Sequence, residues 1–260
     1  MVKGLDLFRE RFRGYEGAFV LIGGAACDAW FTRQGLAFRA TKDLDIVLVI
    51  EVIDPAFVAV LRQFIEDGKY QIRTYTIDGP PVLHRFAKPG NPGFPQMLEL
   101  FSRKPDTIDL SQDQQIVPVA AGEDIHSLSA ILLDQDYYSL IQSHAEQMEG
   151  ITFATATALI PLKARAWLDL TARKQAGGIA DAHDINKHRT DVFRLAATLP
   201  AESGPELSAP IISDLASFLA EFPERAEEWP GILAALKPIF GAGLKPATLI
   251  STLKTFFRLP

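Results

Sequence analysis

The sequence predicts an α+β (mixed α/β) protein, with strands gathered in its first part and helices filling its C-terminal half. Three observations carry this. The run Asp43 to Ile50 is rich in β-branched residues, the segment Ala18 to Gly24 reads as a buried strand ending in a glycine pair, and helical periodicity takes over beyond Val119. The expected division is a mixed core over residues 1–120 and a helical domain over residues 121–260 that closes over a cleft.

The elements follow in order. After the strand ending at Gly23-Gly24, AACDAWFTRQG has the composition of a helix closed by Gly35. Asp54-Pro55 reads as an N-cap with Pro at the first helical position, opening a helix that Gly68 ends. Extended runs are expected at Tyr70 to Thr76, Val82 to Ala87 and Gln96 to Ser102. Asp78-Gly79-Pro80-Pro81 and the loop Lys88 to Gly93 separate them, which points to hairpin-like connections. Helices are expected at Asp124 to Leu133, Gln135 to Glu146, Thr155 to Thr171, Asp181 to Thr198, Ile211 to Phe222 and Pro246 to Phe257. Ala201 to Pro210, rich in Pro, Ser and Gly, is a linker or surface loop.

The 260 residues are 48% hydrophobic and 22% charged, enough apolar material for a proper core. Charged residues interrupt every hydrophobic run before the roughly 20 apolar residues of a membrane helix. The N-terminus lacks a continuous apolar segment with a cleavage site, so the expected compartment is the cytoplasm. Cys27 is the only cysteine, which excludes an internal disulfide and a thiolate metal cluster. A formal charge of −6 argues against a surface coated in positive potential. The segment Lys163 to Arg194 nevertheless carries seven Lys or Arg against four Asp. It reads equally as a phosphate-handling surface or a solvated helix face.

The chemistry-bearing residues begin with Asp43 and Asp45. Residues two apart on a strand share a face, so both carboxylates come within reach of one cation, and hard oxygen ligands suit Mg²⁺ or Mn²⁺. The plain alternative is that Asp43 caps a turn and Asp45 opens the strand at its wet end. Gly23-Gly24, running straight into a helix, offers close backbone approach and helix N-terminal amides for phosphate, although such a pair is also an ordinary tight turn. Glu99 lies between Leu98 and Leu100 in a strand, where an acid needs a partner unless it faces water on an edge. With Asp43 and Asp45 it completes a three-carboxylate set for divalent ions.

The segment LIGGAACDAWFTRQGLAFRATKDLDIVLVI resembles the signature of the AbiEii-like branch of minimal nucleotidyltransferases, within the DNA polymerase β type superfamily. The pattern runs from the Gly-Gly turn through a helix to Arg39, Thr41, Asp43 and Asp45. A second block, LIPLKARAWLDLTARKQAGGIADAHDINKHRTDVFRLA, resembles the family's helical motif, with Lys163, Lys174, Asp181 and Asp184 at the matching positions. The two blocks and Glu99 touch under half of the chain.

The resemblance implies metal ligation by Asp43 and Asp45, with Glu99 as the third ligand. It implies nucleotide contacts from Gly23, Gly24, the Ala25 amide, Arg39, Thr41 and Lys163. Asp184 is expected to orient Lys163 or assist the acceptor hydroxyl, although the two residues also suit an ordinary ion pair between helices. The implied reaction is Mg²⁺- or Mn²⁺-dependent transfer of a nucleoside monophosphate from an NTP to an acceptor hydroxyl. Implied partners are the NTP, transfer RNA or another RNA as acceptor, and an antitoxin protein; no membrane is expected. A catalytically silent nucleotide- or partner-binding member of the fold is the alternative. The chain departs from the wider superfamily at Ala25, where a small hydroxyl residue is usual. No Gly-x-Ser-x-Gly elbow or Gly-x-x-x-x-Gly-Lys loop is present, and His183 and His188 are poorly spaced for one helical face.

Overall fold

A computed structural model of the chain describes residues 2–72, 84–104, 116–118 and 129–260. The chain divides by compactness into Met1–Thr155 and Ala156–Pro260. In chain order the first unit contains α1 (Leu5–Arg11), β1 (Phe19–Ile22), α2 (Gly23–Arg33), β2 (Asp43–Leu48), α3 (Pro55–Gly68), β3 (Gln71–Ile72), β4 (Arg85–Ala87) and β5 (Met97–Ser102). It continues with β6 (Ile116–Pro118), β7 (Ser129–Leu132), α4 (Gln135–Ser143), β8 (Ala145–Met148) and β9 (Ile151–Ala154). The second unit is α5 (Ala156–Gln175), α6 (Ala182–Ala196), α7 (Ala209–Ala220), α8 (Trp229–Phe240) and α9 (Pro246–Phe257).

One mixed sheet organises the first unit in the order β3-β4-β5-β2-β1-β9-β8, with β7 added beside β5 and β6 beside β7. Central β2 runs antiparallel to β1 and parallel to β5. Its burial alternates at the start, with Leu44 and Ile46 in the core and Asp43 and Asp45 half-buried on the other face. An aromatic cluster closes the core side. Phe8 of α1 stacks on Phe12 with ring centroids 4.3 Å apart, and both rings meet Phe19 and Phe64 edge-on.

Local chemistry explains the best-read elements. The Asp54 side chain accepts the Phe57 amide at 2.7 Å and Pro55 opens α3, as the sequence predicts. At the other end Lys69 takes the left-handed conformation after Gly68. Beyond β2, the Ile50 amide donates to the Tyr138 hydroxyl at 3.1 Å, and that hydroxyl donates to Glu51 at 2.6 Å. Burial pushes the Glu51 carboxyl up, but hydrogen bonds from Tyr138 and Arg103 outweigh it and hold the group below the usual carboxylate range.

Several expectations are corrected. Ser129–Leu132, expected within a helix over Asp124 to Leu133, is strand β7, whose backbone pairs with β5 and β6. The preceding residues 124–128, the turn Asp78 to Pro81 and the outer residues of the two runs around it (73–76 and 82–83) lie outside the described residues. Ala145–Met148 is a strand rather than the end of a helix, because it forms a hairpin with β9 through Glu149-Gly150. The first unit therefore extends to Thr155 instead of residue 120, since β9 returns to pair with β1. Helix α8 was not expected, and Ala201 to Pro210 lies within the helical unit, where the Gly204 amide donates to the Phe256 carbonyl at 2.8 Å.

In that unit Trp167 packs edge-on against Phe218 and Phe222, and Phe193 meets Phe218, Phe222 and Trp229. Among the described residues no helix is long and apolar enough to cross a membrane.

Candidate functional site

Sheet register builds the site. Ile22 of β1 pairs with Asp45 of β2, Asp45 with Glu99 of β5, and Glu99 with Arg85 of β4, so these four residues form one row across the sheet. Directly paired residues point to the same face, and Asp43, two residues before Asp45, shares it. Glu99 is 8% exposed and its strand is flanked on both sides, which excludes the water-facing edge position open to it on sequence alone.

The glycine pair abuts this row. Gly23 has φ of +64°, a left-handed conformation that favours glycine, and a Cβ there collides with the Asp45 carboxylate. A Cβ on Gly24 collides with the Thr41 hydroxyl. The turn thus admits Asp45 and Thr41 into space that any other residue occupies. Helix α2 starts at Gly23 after Ile22, whose apolar side chain supplies no cap. Ala25 is buried, and its missing hydroxyl leaves the backbone as its polar contribution. Arg39 stacks its guanidinium over Phe38, 5.1 Å from the ring centroid.

Arg85 is the residue that the sequence reading missed. Its Nε donates to Glu99 Oε1 at 2.7 Å, and a terminal nitrogen reaches the same oxygen. The available signal was an arginine in His84-Arg85-Phe86, inside an extended run that faces Glu99 across a hairpin. The residues suit a hard divalent cation in part: two aspartates share a face, Glu99 is in register beside them, and Gly23 clears the space. Among the described residues, no three His, Cys, Asp or Glu side chains are gathered closely enough to enclose a metal ion. Glu99 is drawn to Arg85 instead.

The helical unit holds the other expected residues. Lys163 on α5 is 4% exposed, and its Nζ lies 3.2 Å from Asp191 on α6. Asp191 is wholly buried and also receives Arg194 at 2.6 Å. Lys163 is therefore paired with Asp191, whereas Asp184, in the exposed first turn of α6, lies 3.9 Å from Lys187. Asp181 caps α6 by accepting the His183 amide at 2.8 Å, and Lys174 sits in the last turn of α5. Arg165 is held by Asp169 and Asp214, with burial opposing these pairings, and its pKa is raised chiefly by the Asp214 hydrogen bond. Four of the seven cations in this segment are thus engaged by Asp side chains. Compared with known proteins, the chain matches no family model, no curated protein and no solved structure.

Proposed function

We propose that the face formed by Asp43, Asp45 and Glu99 beside Gly23-Gly24 is a divalent-metal-dependent nucleotidyltransferase site of the AbiEii-like kind. The observation that carries this reading is the collision a Gly23 side chain makes with the Asp45 carboxylate. A glycine turn that lets the backbone approach a carboxylate this closely suits a phosphate brought beside a carboxylate-held cation.

Asp43 and Asp45 hold Mg²⁺ or Mn²⁺, and Glu99 belongs to the same carboxylate set. Bound there, the ion supplies charge neutralisation for the triphosphate and polarisation of the attacked phosphorus. The first amides of α2, at Gly24 and Ala25, receive phosphate oxygens, with Thr41 bordering the turn and Arg39 supplying a cation for the nucleotide. The acceptor hydroxyl oxygen attacks the α-phosphorus of the NTP, its proton passes to a Glu99 oxygen, and the bond to pyrophosphate breaks. Lys163 binding phosphate and Asp184 assisting the acceptor remain parts of the proposal. In the helical unit Lys163 first has to leave its buried pairing with Asp191. The acceptor class includes transfer RNA or another RNA, and a toxin acting with an antitoxin partner fits this chemistry.

Incubation with each radiolabelled NTP, Mg²⁺ and total cellular RNA or protein tests the reading. Label transferred by the wild type and lost in Asp45→Asn is expected; label with both proteins, or with neither, counts against turnover. The engagement of Glu99 by Arg85 favours a second reading, a nucleotide binder without turnover. Its mark is Mg²⁺-dependent thermal protection by NTP without label transfer.

A further inference from the structure

We infer that Thr41 brings to the Gly23-Gly24 turn the hydroxyl that Ala25 lacks, and that Gly24 is the seat that admits it; this rests on the phosphate contact proposed above. The three atoms nearest to a Cβ built on Gly24 all belong to Thr41, in the order Oγ1, Cβ and Cγ2. The side chain therefore turns its hydroxyl, and not its methyl group, toward the first turn of α2. Gly23 has a left-handed angle that accounts for a glycine, but Gly24 does not. What requires glycine at position 24 is the space taken by Thr41.

The hydroxyl stands where the turn is short of side-chain donors. From Ile22 to Ala26 the chain reads Ile-Gly-Gly-Ala-Ala, without a polar side-chain atom. Thr41 is half-buried, and among the described residues its hydroxyl has no hydrogen-bond partner. A hydroxyl rotates to suit its neighbour, so it can donate to an anionic oxygen placed at the first amides of α2. The two glycines thus seat two unlike groups: Gly23 receives the Asp45 carboxylate, an acceptor, and Gly24 receives the Thr41 hydroxyl, a donor. A donor supplied by the helix in the wider superfamily comes here from the segment facing it.

The test is calorimetric titration of the full chain with inorganic tripolyphosphate and with ATP, each with Mg²⁺. Thr41→Val keeps the side-chain shape and removes the hydroxyl. It is expected to weaken both probes on the order of tenfold, as loss of one hydrogen bond to a charged group does, with the ligand-free melting temperature unchanged. Thr41→Ser is expected to stay near the wild type. Gly24→Ala, whose new methyl group displaces the hydroxyl, is expected to lose at least as much as Thr41→Val. Binding by Thr41→Val equal to the wild type overturns the role of Thr41 and leaves the phosphate site standing. A Thr41→Val chain that melts well below the wild type without ligand makes the hydroxyl a helix cap and overturns the inference too. Absence of binding of either probe to the wild type overturns both the inference and the site.

A readout on the unmodified chain covers the case in which the Val variant does not fold. The Thr41 methyl resonance, assigned with Thr41→Ser, is expected to move together with the Gly24 and Ala25 amides as tripolyphosphate is added. Amides that shift while the Thr41 resonance stays fixed overturn the contact.

Discussion

Two charge clusters, one in each compact unit, differ in composition and enclosure. In the helical unit one carboxylate, Asp191, sits wholly buried between two cations, Lys163 and Arg194. On the sheet Asp43, Asp45 and Glu99 share a face, and the Arg85 guanidinium pairs with Glu99. Charges buried in full must be matched and hydrogen-bonded locally, or the unit does not fold. The sheet face is half-buried at Asp43 and Asp45, so water reaches those carboxylates whereas none reaches Asp191. The contrast separates a cluster enclosed between helices from one on an accessible sheet face.

Three substitutions break or sharpen this contrast. Asp191→Asn leaves Lys163 and Arg194 facing each other in the interior. It is expected to destabilise the helical unit by about 3–5 kcal/mol, measured by chemical denaturation. A loss near zero makes the buried cluster dispensable and erases the distinction. Gly23→Ala combines a left-handed backbone with a collision against Asp45. Its expected cost is about 1–3 kcal/mol, together with loss of Mg²⁺-dependent protection by NTP. Retained protection counts against the turn as the phosphate contact. Asp45→Asn is expected to abolish metal binding with a smaller loss of stability than Asp191→Asn, because Asp45 is half-buried and Asp191 wholly buried. A large loss of stability in this variant identifies Asp45 as a structural residue and undoes the contrast from the other side.

The parts of the fold that were legible in the sequence are those with a local cause. Asp54-Pro55 announces its helix because the cap and the pre-set proline angle act within one turn. Asp43 to Leu48 announces its strand through β-branched residues and alternation. The short strands escaped because their cause is distant. Ala145–Met148 has little intrinsic strand preference and extends because β9 lies beside it. Ser129–Leu132 looks helical alone and is a strand through its pairing with β5. The candidate site divides in the same way. Asp43, Asp45 and the glycine turn are visible within thirty residues of chain, whereas the partner of Glu99 depends on hairpin register. The choice of Asp191 over Asp184 depends on which face of α6 meets α5, and spacing from Lys163 does not reveal that.

The parallel pairing of β1 with β9, where Leu21 lies opposite Phe153, has a consequence for biosynthesis. Strand β1 is synthesised before β9 and waits for that flank until the whole intervening stretch has emerged. Closing so long a loop is entropically slow. The nascent chain therefore presents an open β edge during elongation, and ribosome-associated chaperones have most to do in that interval.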